Sequence, residues 1–276
     1  MFIRKLCAVL QRLLVLVFVG LVIGSFFVDY PFAWWVVFTP LALSWGAGIV
    51  AGRTASHDLK AAPRDPVEVL PPVTGRWSAL NSPADKTPSH GVHGYGQTYA
   101  IDIVAEDERR PRPGAALLWP VARPARAFPA FGADLVAVAD ATVVHAEDGQ
   151  RDHLSRNSLL GLAYLLLVEG DVRSLAGARR IFGNHVILDI GDGTYAAYAH
   201  VKRGSLAVRT GDRVRAGQVI GRCGNSGNSS EPHVHFQLMD SPDLEAARGI
   251  PFRWQGVGVP ANGEVFTVGK TADLPS

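Results

Sequence analysis

The sequence predicts a mainly β, antiparallel domain that follows an N-terminal pair of apolar helices. Alternating Val186, Leu188 and Ile190 lead into Gly191-Asp192-Gly193, and a second β-prone run covers 195–201. A period of two on either side of a glycine-containing turn is typical of a β-hairpin. We therefore expect two antiparallel strands near the centre of the domain.

The N-terminal region supplies the helical part of the prediction. Residues 13–28 and 32–50 are almost wholly apolar, and Asp29-Tyr30-Pro31 separates them. Each run approaches the ~20 residues that a helix needs to cross a bilayer. A secretory signal peptide is the alternative for the first run, but no convincing cleavage site precedes the second. We expect a transmembrane hairpin.

Composition limits the classes of function. The 276 residues are 47% hydrophobic with a formal net charge of +2, which leaves no basic excess for binding nucleic acid. The two cysteines, Cys7 and Cys223, lie in the N-terminal apolar region and in a distant loop. This arrangement implies no disulfide framework, and Cys223 is expected to be a small buried residue.

The strongest chemical signal is a loop of small residues that ends in His233-Val234-His235. If Val234 lies in a strand, alternation places both histidines on one face, about two rises of ~3.3 Å apart. Imidazole is the commonest protein ligand for a transition metal, and one histidine can bind metal while its neighbour transfers a proton. The spacing therefore indicates a metal site.

Other polar residues occur in β-prone or glycine-rich segments. His200 ends the second strand of the predicted hairpin, and Asp102 lies between two isoleucines, where a buried carboxylate needs a cation or strong hydrogen bonds. Asn184 either lines a cleft or is a turn residue that opens a strand. His145 and His185 are expected to be ordinary strand-end residues.

Taken in the order of the chain, Asp102, His200, His233 and His235 resemble the pattern of the LytM/lysostaphin-like zinc metalloendopeptidases of bacterial cell walls. The resemblance extends across roughly residues 71–268. The resemblance implies that Asp102 and His235 are zinc ligands and that His200 and His233 are the catalytic histidines. A set of three ligands leaves Zn²⁺ an open position for water, which is the catalytic arrangement.

The first zinc ligand has two candidates. His90 and His93 precede Asp102 by twelve and nine residues in a glycine-containing loop, and spacing alone does not choose between them. We favour His90, because family members with a long loop tend to place this ligand early. His93 is the alternative, and the histidine that is not a ligand is expected to be solvated or to support the site.

The resemblance also extends the fold prediction. Residues 204–221 resemble the hairpin of lipoyl and biotinyl carrier domains, without the carrier lysine, and the peptidase family shares their barrel-sandwich architecture. We therefore expect an antiparallel β-sandwich or barrel-sandwich-like peptidase domain. The predicted segments are a membrane anchor at 1–53, a proline-rich linker at 54–83, the LytM-type domain at 84–268 with an insertion at about 148–182, and a tail at 269–276.

The function implied by the resemblance is that of a membrane-anchored zinc endopeptidase. It would hydrolyse peptide bonds in peptidoglycan stems or cross-links through a metal-activated water. One alternative is a non-catalytic LytM-type module that binds the wall or activates another hydrolase, and another is a metallopeptidase for a secreted peptide or protein. The expected partners are peptidoglycan and, through the N-terminal helices, the membrane; nucleic acid is not expected.

The expected location is the bacterial cell membrane, with the catalytic domain facing the cell wall. Basic residues flank the apolar pair on both sides, at Arg4, Lys5 and Arg12 and again from Arg53 onward. By the positive-inside rule they would keep both ends of the hairpin cytoplasmic. The charge pattern and the substrate therefore predict opposite topologies.

Overall fold

The structure is a computed structural model that describes residues 2–58 and 64–269. The chain divides into two compact units, Met1–Lys60 and Ala61–Ser276. Each unit has its own secondary structure. The two units are described separately below.

The first unit is helical. It contains α1 (Phe2–Gly24), a 3-10 helix at Trp34–Phe38 and α2 (Thr39–Asp58). Helices α1 and α2 pack against each other, and the rings of Phe18 and Phe38 lie 5.6 Å apart between centroids.

The transmembrane prediction is not supported. Across the described ranges 2–58 and 64–269, no helix is both long and apolar enough to cross a membrane. The second apolar run does not form one helix, because it is divided between the 3-10 helix and α2.

The second unit is mainly antiparallel β-structure, which confirms that part of the fold prediction. Its thirteen described strands are β1 (Val67–Val69), β2 (Gly75–Leu80), β3 (Ile101–Ala105), β4 (Asp134–Val136), β5 (Ala141–Glu147), β6 (His185–Asp189), β7 (Tyr195–Ala199), β8 (Arg213–Val214), β9 (Val219–Arg222), β10 (Val234–Met239), β11 (Gly249–Ile250), β12 (Phe252–Trp254) and β13 (Val265–Val268).

One large sheet organises the unit. Its strand order is β13-β2-β3-β10-β7-β6-β5-β8, and β11 also pairs with β10. The smaller pairs are β4 with β9, which is antiparallel, and β1 with β12, which is parallel. Strand β10 is therefore central, with β3 on one side and β7 on the other.

The sheet buries both of its faces near β10. On one face, alternate residues such as Val186, Leu188 and Phe236 join the main apolar core. On the other face, Ile187 and Ala199 pack with Phe182 in a smaller cluster. Since neighbouring residues of a strand point to opposite faces, the second face is where the side chains of Asp102 and His235 also lie.

Two strands lie within the segment predicted as a linker. Within 54–83, β1 pairs with β12, and β2 pairs with both β3 and β13 in the main sheet. Trp77 and Ala79 of β2 are fully buried. Burial of these apolar side chains provides the free energy that holds this segment to the core. The prolines that suggested a linker lie before, between and after the two strands rather than within them.

The predicted insertion at about 148–182 is helical. It contains α3 (Leu159–Tyr164), a π-helical turn at Leu165–Glu169, α4 (Gly170–Leu175) and α5 (Ala178–Phe182). Ser158 caps α3: its hydroxyl accepts from Gly161 N at 2.9 Å and donates to Val121 O at 2.7 Å. The apolar run within this insertion therefore forms helix.

Candidate metal centre and active site

Three neighbouring strands bring the predicted site residues together. His235 of β10 lies opposite Asp102 of β3 and opposite Ala199 of β7 in the hydrogen-bonded register. His200 follows Ala199 at the end of β7, and its side chain joins those of Asp102 and His235. His233 precedes His235 by two residues and shares its face of the sheet. The structure thus assembles residues that are far apart in the sequence.

Asp102 is the centre of this cluster. Its side chain is buried, and its Oδ2 accepts a hydrogen bond from Asn81 Nδ2 at 2.8 Å and lies 3.0 Å from His90 Nε2. Its Oδ1 lies 2.9 Å from His235 Nδ1 and 3.4 Å from His233 Nε2. Three imidazoles therefore surround one carboxylate.

The tautomer of His235 follows from its other ring nitrogen. His235 Nε2 lies 3.0 Å from Gln237 Oε1, while Gln237 Nε2 donates to Tyr95 O at 2.7 Å. Because the amide nitrogen is engaged there, the amide oxygen accepts from His235, and Nε2 carries the hydrogen. In the neutral ring, Nδ1 then points a lone pair at the carboxylate of Asp102.

His90 has the same arrangement with its nitrogens exchanged. The Ser89 hydroxyl donates to Ala100 O at 2.6 Å, so its oxygen accepts from His90 Nδ1 at 3.0 Å. His90 Nε2 is then the lone-pair atom, and it faces Asp102 Oδ2. Two imidazole lone pairs thus point at one carboxylate, and such contacts are favourable only with a proton or a metal ion between the atoms.

His93, the alternative first ligand, lies elsewhere. Its Nδ1 lies 3.1 Å from the hydroxyl of Thr98. Among the predicted site residues, His90, Asp102 and His235 each offer one ligand atom, and these atoms all lie within 4.8 Å of one another. The geometry therefore favours His90 as the first ligand.

The predicted catalytic histidines are held by backbone carbonyls. His200 Nδ1 donates to Ser226 O and His233 Nδ1 donates to Glu231 O, both at 2.8 Å. A carbonyl oxygen only accepts, so in each neutral ring Nε2 is the unprotonated atom. The two rings lie 4.7 Å apart between centroids.

His200 has an unusual backbone conformation for a residue other than glycine, with φ of 60°. Its N–H donates to Phe182 O at 2.9 Å, and its carbonyl accepts from Gly224 N at 3.0 Å. A residue in this region costs roughly 1–3 kcal/mol and persists where its surroundings fix it. The backbone thus turns His200 off the end of β7 and into the cluster.

Burial and neighbouring charges set the protonation of the cluster. Burial raises the pKa of Asp102, but the charges of His90 and His233 outweigh it and hold that pKa well below its usual value. Burial, with repulsion from His233 and His235, lowers the pKa of His200, and burial also lowers the pKa of His235. Burial lowers the pKa of His233 as well, but the charge of Asp102 outweighs it, so that pKa is raised.

A cleft of about 530 Å³ contains these side chains. Leu162, Leu165 and Leu166 of the helical insertion also line it, together with Val92 and Tyr95 of the loop that carries His90. The insertion thus forms part of the wall of the cleft. Asn184 does not line it: this buried side chain binds the backbone of Gln150 and Val201.

Several residues around the site were not singled out from the sequence. Gln237 continues the alternation of His233 and His235, so a period of two would have placed it on the same face. Asn81 and Ser89 carry no such signal, because they reach the site through loop geometry. Phe182 lies 5.6 Å from His235 between ring centroids and packs beside it.

Comparison with known proteins agrees with this geometry. The model of peptidase family M23 matches residues 167–246, which include His200, His233 and His235. His90 and Asp102 precede the matched segment, so their assignment depends on the contacts described above.

Individual relatives give partial matches. The glycyl-glycine endopeptidase ALE-1 of Staphylococcus capitis is 45% identical over 58 residues, which are 21% of this chain and 16% of that protein. The cell division protein DipM of Caulobacter vibrioides is 30% identical over 98 residues, 35% of this chain and 16% of its own length. The chain thus covers about a sixth of the length of these curated relatives.

Among solved structures, the catalytic domain of lysostaphin from Staphylococcus simulans is 23% identical and aligns with a TM-score of 0.32, over 58% of this chain and 76% of that one. The matched segment contains the loop of small residues and both of its histidines. The resemblance seen in the sequence is confirmed: residues 167–246 match the model of peptidase family M23, and the relatives support a LytM-like peptidase family.

Proposed function

We propose that this protein is a zinc-dependent endopeptidase that hydrolyses peptide bonds in bacterial peptidoglycan. The observation that carries the proposal is the pair of imidazole lone pairs, from His90 and His235, that converge on the Asp102 carboxylate. A buried arrangement of three acceptor atoms attracts a cation and repels other acceptors.

The donor set fits Zn²⁺. Two imidazole nitrogens and one carboxylate oxygen form a three-ligand set of the catalytic type, which leaves a position for water. Bound zinc would supply a Lewis acid that lowers the pKa of water to ~7 and polarises the scissile carbonyl. Gln237 and Ser89 hold the ligand tautomers in place through the distal ring nitrogens.

The two other histidines of the cluster provide proton transfer. His200 and His233 each have Nδ1 fixed on a backbone carbonyl, so Nε2 is the atom available to the cleft. In the unprotonated form this atom accepts a proton from the attacking water. In the protonated form it donates to the developing oxyanion or to the leaving amine. General acid–base catalysis of this kind contributes ~10²–10⁴-fold to the rate.

The substrate class is supported by the cleft and by the relatives. The cleft is lined by the helical insertion and by the loop that carries His90. It combines leucines with polar site residues. Relatives are named as a glycyl-glycine endopeptidase and, in Vibrio cholerae, as a peptidoglycan DD-endopeptidase. For this chain we propose peptide stems or cross-links as the substrate and the cell-wall side of the membrane as the location.

The test compares the full-length protein with His235→Ala and His233→Ala. We expect wild type to release new amino groups from purified peptidoglycan. His235→Ala should lose about one equivalent of zinc and should also lose this release of amino groups. His233→Ala should keep that zinc and lose turnover, because it removes proton transfer without removing a ligand. His153→Ala, outside the cluster, is the control.

Two outcomes would count against parts of the proposal. Equal loss of zinc in both variants would contradict the separation of roles. A wild-type protein that binds zinc but cleaves no wall peptide would indicate a non-catalytic module or another peptide substrate. Walls with glycine bridges and walls with direct cross-links should both be tried, since the relatives differ in their named bonds.

A further inference from the structure

A second cluster of possible metal ligands lies on the same face of the large sheet. Glu147 of β5 is opposite His185 of β6, and His145 shares the face of Glu147 two residues earlier. One ligand atom from each of the three residues lies within 4.8 Å of the others. The imidazole rings of His145 and His185 stack with 4.5 Å between centroids.

His185 is prepared to bind a metal. Its Nδ1 donates to Gly183 O at 2.8 Å, so Nε2 carries the lone pair. A backbone carbonyl on the distal nitrogen is the usual support for a metal-binding histidine. Burial lowers the pKa of His185 to about 4, which keeps the ring neutral at physiological pH.

Glu147 is held in an orientation that leaves lone pairs available. Arg179 Nε lies 2.8 Å from Oε1 and 2.7 Å from Oε2, and Gln150 Nε2 donates to Oε1 at 2.8 Å. Each carboxylate oxygen can accept two hydrogen bonds or one together with a metal ion, so Oε2 keeps a free position. Arg179 approaches from the solvent side, with its side chain 71% exposed.

We propose that His145, Glu147 and His185 bind a second divalent ion of the zinc type, separate from the catalytic centre. Two imidazoles and a carboxylate are ligands that suit Zn²⁺. The adjoining cavity of about 350 Å³, lined by His145, His185 and Leu244 among others, leaves room for a water ligand. This site goes beyond the proposed function and does not depend on it.

The position of the second site suggests a structural effect. The ion would join β5 to β6 beside Phe182, whose ring lies 5.9 Å from His185 and 5.6 Å from His235. It would therefore fix the strands and the aromatic ring that stand next to the catalytic ligand.

Metal titration of the full-length protein tests the proposal. Apoprotein is titrated with Co²⁺, whose visible absorption reports tetrahedral nitrogen and oxygen ligation, and bound zinc is measured separately after dialysis. We expect two equivalents of metal ion per chain for wild type, one for His145→Ala and one for His235→Ala. The variant that carries both of these substitutions should bind none. His153→Ala is the control and should keep two. Glu147→Gln, nearly isosteric with the native residue, should also lose one equivalent, and circular dichroism establishes that each variant is folded.

The outcomes separate this site from the catalytic one. If wild type binds a single equivalent of metal, and this equivalent is lost in His235→Ala but kept in both His145→Ala and Glu147→Gln, the second site is overturned and the proposed function stands. If a single equivalent is lost in His145→Ala and kept in His235→Ala, the second site stands and the catalytic assignment fails.

Discussion

The two clusters on the large sheet have similar ligands and different surroundings. Each combines two histidines with one carboxylate on neighbouring strands. In the first cluster the carboxylate of Asp102 faces imidazole nitrogens on both oxygens, and the side-chain amide of Asn81 donates to Oδ2. In the second cluster the carboxylate of Glu147 is held by Arg179 from the solvent side.

The difference lies in what surrounds each set of ligands. Beside the first set, His200 and His233 present two further ring nitrogens to a cleft. Beside the second set, the described residues that line the cavity include no third histidine. A ligand set alone therefore provides for metal binding, whereas catalysis also requires groups that can move protons next to it.

The largest expected effect comes from removing one of those groups. His200→Ala should lower kcat by ~10²–10⁴-fold, because it removes a proton-transfer residue that is not a ligand. Zinc content should remain equal to that of wild type. Steady-state hydrolysis of peptidoglycan and metal analysis of the same preparation measure both quantities.

His153→Ala is the matched control for this change, since His153 lies outside both clusters and binds backbone carbonyls at 2.8 Å. Full turnover in His200→Ala would remove the distinction drawn between the two clusters. Loss of zinc in His200→Ala would instead make this histidine part of the ligand set.

Part of this arrangement was predictable from the sequence. Alternation and the glycine turn predicted the hairpin that became β6 and β7, and alternation across Val234 placed His233 and His235 on one face. These signals are local, because a period of two within a strand fixes the direction of each side chain. The family resemblance then related distant segments to one site.

Other features depend on contacts that sequence does not encode locally. His145 and His185 were expected to be ordinary strand-end residues, and only the register of β5 against β6 brings them together with Glu147. The choice of His90 over His93 depends on the path of a loop with several glycines. The N-terminal apolar runs predicted a transmembrane hairpin, which the described residues do not support, and the second run is divided between a 3-10 helix and α2.

A smaller effect is expected from the residue that orients His235. Gln237→Ala removes the acceptor that keeps hydrogen on Nε2, so Nδ1 is no longer held as the lone-pair atom. Loss of such a supporting partner typically reduces metal affinity by ~10–100-fold. Competition with a chromophoric chelator measures the change in zinc Kd at the catalytic site.

Gln218→Ala is the control for removing a glutamine side chain, because Gln218 binds Arg215 N in a surface turn away from the site. Unchanged zinc affinity in Gln237→Ala would mean that Asp102 alone orients His235. A decrease at the second cluster, rather than at the first, would contradict the separation of the two sites.

The last effect concerns the glycine that makes room for Gln237. Gly96 and Gly132 both have positive φ, of 73° and 87°, so alanine costs ~1 kcal/mol of stability at either position through backbone conformation. At Gly96 a Cβ would lie 2.7 Å from Gln237 Nε2, whereas at Gly132 it would meet no atom within 4 Å. Crowding of this kind typically costs a further ~1–3 kcal/mol. Gly96→Ala should therefore lower the free energy of unfolding more than Gly132→Ala does in denaturant titrations, and it should also weaken zinc binding. Equal destabilisation by the two variants would show that the amide of Gln237 can move aside, and its hold on the tautomer of His235 would then be weak.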